Sequence, residues 1–280
     1  MSAPPPSFDV ILPTHARPDT LALAVRSILD QTYPHFLLHV VGDGCVPDTE
    51  RVIRSFEDAR LRFHSFPKAP GYGYANRNRV LRETSAPYVA YMSDDDLSFP
   101  DRLESAAEEL SAGADLVAFR SCPVRPPGVA DPFFFAWDWP GPARLLRHWF
   151  IGAPEMAHRR SVFDTLGYWD ETLLRFGDRE LYGRVRSAGL RAVWDEKVVL
   201  LRFYAQHWAE VYGSLPEPPQ RLFGERLRDP EWCQGLRQSI AARRPLSARF
   251  RQLNDFAGFA RRRGPAFLRY LARRSSQGAG

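Results

Sequence analysis

Short apolar runs alternate with stretches of helical spacing along the first half of the chain. Phe8–Pro13 (FDVILP) is apolar almost throughout and closed by proline, the pattern of a strand buried on both faces. Leu21, Val25, Ile28 and Leu29 recur at helical spacing, with Asp19 or Thr20 placed to cap the helix. Strand and helix then repeat. Phe36–Val41 reads as a strand, Asp48–Phe56 as a helix and Leu61–Phe66 as a strand. Ala75–Arg82 is helical and Tyr88–Met92 a strand. Asp101–Leu110 is a helix started by Ser98 and Pro100 with capping-box-like spacing, and Asp115–Phe119 is a fifth strand. Such alternation predicts a mostly parallel sheet with helices on both faces.

The second half is less regular. Arg120–Gly152 is rich in proline and aromatics and reads as a long functional loop. Ser161–Gly167 and Glu180–Ala188 are helical, and Ala192–Phe203 contains a last strand. From about Ser214 the pattern becomes polar, proline-broken and helical. The expected organisation is an α/β domain over residues 1–213 and a basic helical extension over 214–280. No fixed-period repeat is present.

Composition narrows the class. A 280-residue chain with 44% hydrophobic and 25% charged residues can bury a core without disulfide staples. The three cysteines, Cys45, Cys122 and Cys233, lack zinc-ligand spacing. The N-terminal MSAPPPSFDV lacks the basic and apolar regions of a signal peptide, and no apolar stretch approaches a membrane span. The expected location is cytoplasmic. The net charge of +5 is uneven: from Arg221 onward 14 arginines face 4 acids. Such a tail reads either as a solvated helical face or as a contact for an anionic surface at the inner membrane face. No motif supports nucleic-acid binding.

Five constellations carry possible chemistry. Ser93-Asp94-Asp95-Asp96 follows the fourth strand, at the end where ligands gather in such sheets. Crowded carboxylates suit a hard divalent cation, while the bland reading is a solvated loop capping the next helix. Gly42-Asp43-Gly44 ends the second strand; Asp43 is placed to meet a base or ribose, while the bland reading is a tight turn. Gly71–Arg79 joins glycines to Arg77 and Arg79, which suits phosphate or simply a flexible helix entry. Asp178 opens a helix after Gly177, as a general base or as an N-cap. His207 stands among aromatics, as a metal ligand or a packed histidine.

Taken in order, these motifs resemble family 2 glycosyltransferases of the GT-A fold. The likeness spans roughly residues 8–205. It rests on FDVILPTHARPDTLALAVRSILDQTYPHFLLHVVGDG, on GYGYANRNRVLRETSAPYVAYMSDDDLSFPDRLE and on RRSVFDTLGYWDETLLRFGDRELYGRVRSAG. It implies a Rossmann-like central sheet with a helical C-terminal extension. It assigns substrate contacts to Pro13, Thr14, Asp43, Arg77 and Asp94, metal ligation to Asp95 and His207, and the catalytic base to Asp178. Three departures stand out: Gly42, Ser93 and Gly177 each replace a residue that is commonly acidic in the family.

The resemblance implies an inverting transfer of sugar from a UDP-, GDP- or dTDP-linked donor to an acceptor hydroxyl, with Mn²⁺ or Mg²⁺. Acceptors would be glycans, glycolipids or small molecules, set against Arg120–Gly152 and the region of Trp169, with Trp137, Trp139 and Trp149 as stacking faces. A non-catalytic nucleotide-sugar binder on the same fold is the alternative, since fold does not settle function. A nucleotidyltransferase would carry a glycine-rich basic loop after the first strand, which PTHARPDT does not match.

Overall fold

The computed structural model describes residues 8–125, 129–130, 151–203 and 217–242. Its first half follows the expected alternation: β1 (Phe8–Thr14), α1 (Pro18–Leu29), β2 (Phe36–Asp43), α2 (Pro47–Arg54), β3 (Leu61–Phe66), α3 (Tyr74–Glu83) and β4 (Tyr88–Tyr91). The two-residue β5 (Leu97–Ser98), α4 (Arg102–Ser111), β6 (Leu116–Arg125) and the short β7 (Val129–Ala130) follow. The remainder is β8 (Met156–Arg159), α5 (Ser161–Leu166), α6 (Gly177–Ser187), β9 (Ala192–Arg202), α7 (Gln220–Arg226) and α8 (Pro230–Ala242).

The strands form one sheet in the order β3-β2-β1-β4-β8-β6-β9-β5, with β7 paired to β6. β3, β2, β1 and β4 are parallel, and β6 is parallel to β9. β8 runs antiparallel to both β4 and β6, and so joins the two parallel groups. The result is a mixed, mostly parallel sheet flanked by helices.

Alternation along β1 explains the layering. Phe8, Val10 and Leu12 join α1, α2 and α4 in one core layer. Ile11 faces the other way, into a layer built with α3, α5 and α6. Because both faces are covered, β1 reads as an apolar run rather than an alternating one. A third cluster joins Leu97, Phe99, Val198 and Leu201 to Phe223, Leu227, Cys233 and Ile240. There α7 and α8 pack on β5 and β9, and Arg237 of α8 grips Asp101 with two hydrogen bonds of 2.8 and 2.7 Å.

Several local expectations are corrected. Arg120–Arg125 continues β6 instead of opening a loop, because β9 and, from residue 129, β7 supply its backbone partners. Residues 131–150, with Trp137, Trp139 and Trp149, lie outside the described residues. Ser98 does not cap α4; it sits in β5, where its hydroxyl bonds the Phe99 carbonyl and receives the Gln31 amide. Neither Asp19 nor Thr20 caps α1, which starts after Arg17 with Pro18 at its first position. The Thr20 hydroxyl instead holds the Asp94 carbonyl at 2.8 Å.

Candidate active site

The carboxyl ends of β2, β1 and β4 lie side by side, which brings Asp43, Thr14 and the Asp94–Asp96 run to one rim. Thr14 pairs with Gly42 in register, and its hydroxyl donates to Asp94 Oδ2 at 2.8 Å. Pro13 precedes it as the one incompletely buried residue of β1.

The acidic run is not splayed into solvent. Arg17 bridges two of its members, donating to Asp94 Oδ1 at 2.7 Å and to Asp95 Oδ2 at 2.6 Å. Burial opposes the Arg17 charge, but Asp94 and Asp95 outweigh it and raise its pKa. Asp96 turns inward, accepting from the Ser93 hydroxyl at 2.6 Å and the Phe203 amide at 3.0 Å. Ser93 therefore serves as a hydrogen-bond donor within the acidic run. Arg202, at the end of β9, lies 3.9 Å from Asp96 and 3.3 Å from the buried Glu155. Glu155 is held by the Ser121 hydroxyl and by the Gly152 amide at 2.5 Å.

These compensations fall short. Burial, reinforced by the charge of Asp95, pushes Asp94 up to about 6 and Asp96 up to about 7. Asp94, Asp95, Asp96 and Glu155 crowd together around the guanidiniums of Arg17 and Arg202, with Arg102 also in electrostatic range of Asp96 and Glu155. The donors are hard oxygens, and Asp95 is the most exposed of the three adjacent aspartates. This set fits Mg²⁺ or Mn²⁺. The cluster lacks a ready-made cage: among the described residues no three His, Cys, Asp or Glu side chains are grouped to hold an ion. His207 lies outside the described residues.

Asp43 is saturated. Its Oδ1 accepts from the Asn76 side chain at 2.7 Å and from the Ala69 amide at 2.8 Å, and its Oδ2 from Lys68. A Cβ on residue 73 would meet this carboxylate at 2.7 Å, so Gly73, with φ of 71°, lets α3 begin against it.

Arg77 is the outlier. It is 8% exposed, and among the described residues its Nε has no hydrogen-bond partner and its side chain makes one hydrogen bond, from Nη2 to the Tyr72 carbonyl at 2.8 Å. Its guanidinium lies over the rings of Tyr74 (4.9 Å) and Trp169 (5.6 Å). Burial lowers its pKa, against the pull of Tyr74, Asp178, Tyr91 and Asp43. A buried cation with no direct carboxylate partner is costly unless an anion arrives.

Asp178 lies in the first turn of α6, and its Oδ1 accepts from the Arg179 amide at 3.0 Å. It keeps some exposure, yet the protein around it raises its pKa by desolvation, against the opposing pull of Arg179, Arg202 and Arg77. Arg202 in turn feels Glu155, Asp96, Asp95 and Asp178, which together overcome burial and raise its pKa. One guanidinium thus links the acidic run to Asp178. Trp169 is a core residue, 2% exposed, stacked on Tyr74 and edge-on to Tyr91; it presents no open face for a sugar.

Sequence reading missed Arg17, Arg202, Lys68, Asn76 and Tyr74. The first two had a signal: each sits at or just beyond the carboxyl end of a strand, the same rule that singled out Asp43.

Comparison with known proteins agrees with this architecture. Structural neighbours define the class as GT-A. Staphylococcus aureus TarS 1–349, solved with UDP-GlcNAc, superposes with a TM-score of 0.61 at 18% identity, over 75% of this chain and 61% of that one. The mannosyltransferase PcManGT of Pyrobaculum calidifontis, solved with GDP-Man and Mn²⁺, gives 0.56 at 20% identity, over 91% and 81%. Residues 9–132 match the model for Glycosyl transferase family 2, which places that segment of the chain in the family. The O-antigen biosynthesis protein RfbC of Myxococcus xanthus is 30% identical over 219 residues, which is 70% of this chain and only 17% of that relative's length.

Proposed function

We propose that this chain transfers a sugar, with inversion, from a nucleotide-diphosphate sugar to an acceptor hydroxyl in glycan biosynthesis. The observation that carries the reading is Arg77, a buried guanidinium without an ion pair among the described residues, within electrostatic range of Asp43 and Asp178. A diphosphate is the ligand that such a cation lacks.

Asp178 is the base. Its carboxylate takes the proton of the acceptor hydroxyl while that oxygen bonds to the anomeric carbon. The bond from that carbon to the diphosphate oxygen breaks, and its electron pair leaves with the phosphate. Arg77 stabilises the charge gathered there. The desolvation that raises the Asp178 pKa makes it a stronger base than an ordinary aspartate. Asp43, set between Lys68 and Asn76, meets the nucleobase; Pro13, Thr14 and Asp94 border the ribose side. A bound divalent ion would be held chiefly by Asp95 with Asp94 and would neutralise diphosphate charge.

TarS binds UDP-GlcNAc and PcManGT binds GDP-Man with Mn²⁺, which supports a nucleotide-sugar donor and a divalent ion. Among the described residues no helix is long and apolar enough to cross a membrane. Membrane contact, if made, would fall to the arginine-rich segment from residue 243, outside the described residues, and liposome co-sedimentation of full-length and truncated chains tests it. The function itself is tested by incubating the protein with UDP-, GDP- and dTDP-sugars, with and without Mn²⁺, over an acceptor panel. Release of nucleoside diphosphate with a glycosylated product supports the reading. Pyrophosphate release, or binding without product, refutes it.

A further inference from the structure

We propose that Tyr74 is the positioning residue for Asp178, acting as a helix cap supplied from 103 residues away in sequence. The inference rests on Asp178 as the base of the reading above and goes beyond it to what holds that base in place.

The start of α6 is built unusually. Phe176, which precedes it, has φ of 67°, the one positive value at a non-glycine position among the described residues. No side chain of the preceding residue caps the helix. The Gly177 amide is one of the donors that a helix leaves without an internal partner. The Tyr74 hydroxyl accepts it at 2.9 Å. The same phenol fills the space a side chain at 177 would take: a Cβ there would meet Tyr74 Cζ at 2.6 Å and Cε1 at 2.7 Å. The ring has no room to yield, because it is 5% exposed, stacked on Trp169 at an interplanar angle of 8° and covered by the Arg77 guanidinium.

Glycine at 177 and tyrosine at 74 are therefore matched parts. Asp178 follows immediately, so the hydroxyl that fixes residue 177 fixes the base. Burial and Asp178 push the Tyr74 phenol up to about 12, so it stays neutral and serves as an acceptor at any working pH. The same ring also carries Arg77, so α3 sets the spacing between the base and the cation assigned to the leaving group.

The test uses the full chain. Tyr74→Phe keeps the stacked ring and removes the oxygen. Exchange of the Gly177 amide should rise roughly tenfold, while amides at Leu181–Val185 and the melting temperature stay unchanged. kcat should fall roughly tenfold with donor KM unaltered, as expected when a reacting group is slightly misplaced. Gly177→Ala should cost a similar factor in the wild-type background and much less in Tyr74→Ala, where the clash is gone. Unchanged exchange at Gly177 in Tyr74→Phe, or equal cost of Gly177→Ala in both backgrounds, overturns the proposal. If the wild type transfers no sugar, the functional reading fails, while the exchange measurement still decides whether Tyr74 holds residue 177.

Discussion

The two ends of the sheet treat carboxylates in opposite ways. At the amino end of β1, Asp9 is 2% exposed and fully partnered. It accepts from His39 Nε2 at 3.0 Å, from the Ala86 amide at 2.9 Å and from Arg160 at 2.6 Å. Burial alone would raise its pKa, but these partners outweigh it and hold the carboxyl below its ordinary value. At the carboxyl end, Asp94, Asp96 and Asp178 are pushed up by burial that their partners do not offset. The lesson is that burial of a charge does not mark function; burial without sufficient compensation does. Asp9 ties β1 to β2, the α3–β4 turn and the end of β8. The other rim keeps unspent charge for a ligand.

That contrast can be broken in graded steps. The largest effect should come from Asp178→Asn, which removes the proposed base and should lower kcat by about 10²–10⁴-fold while donor affinity in a calorimetric titration is retained. Turnover near the wild-type rate would remove Asp178 from its role. Next in size, Asp9→Ala strands the half-buried Arg160 and should cost about 3–5 kcal/mol in urea unfolding, with no direct effect on the rim. An undiminished unfolding midpoint would show that the amino end is not the structural anchor it resembles.

The pH dependences should run in opposite directions. The folded-state pKa of Asp9 lies below its unfolded value, so its stabilisation is present at neutral pH and lost as pH falls through the folded pKa. The folded-state pKa of Asp178 lies above its unfolded value, so its charge costs stability at neutral pH, and that cost disappears on acidification. Asp178→Asn should accordingly melt no lower than wild type at pH 7. The acid limb of kcat/KM should sit above the ordinary aspartate range. A limb at or below that range would contradict the desolvated environment.

The smallest expected effect sharpens the comparison. Asn at position 76 should lose two hydrogen bonds when changed to Ala, one to Asp43 Oδ1 and one to the Pro67 carbonyl, costing about 1–2 kcal/mol of stability. If its partner Asp43 meets the nucleobase, donor KM should rise while kcat holds. An unchanged KM would mean that the cradle of Asp43 is structural, like that of Asp9.

Much of this was legible in the residues. Parallel β1 to β4 and their helices follow from apolar runs interleaved with helical spacing, and the acids announce themselves at strand ends. β5 and β8 were missed because two and four residues are too few to show a period, and β8 exists through pairing with β4 and β6. The capping roles read for Ser98 and Thr20 failed because tertiary partners, Gln31 at 3.2 Å and the Asp94 backbone at 2.8 Å, claimed those hydroxyls. Arg17 and Asp94 are 77 residues apart, and Tyr74 and Gly177 are 103 apart; no local pattern reports such pairings.

The bridging guanidinium of Arg17 has a consequence for the life of the molecule before any cofactor arrives. Carboxylates crowded at one rim would otherwise repel each other during folding, and the chain would depend on ion supply to mature. With an internal counter-charge in place, it can reach its native form in ion-poor surroundings. Treatment with a chelator should therefore leave the melting curve almost where it was.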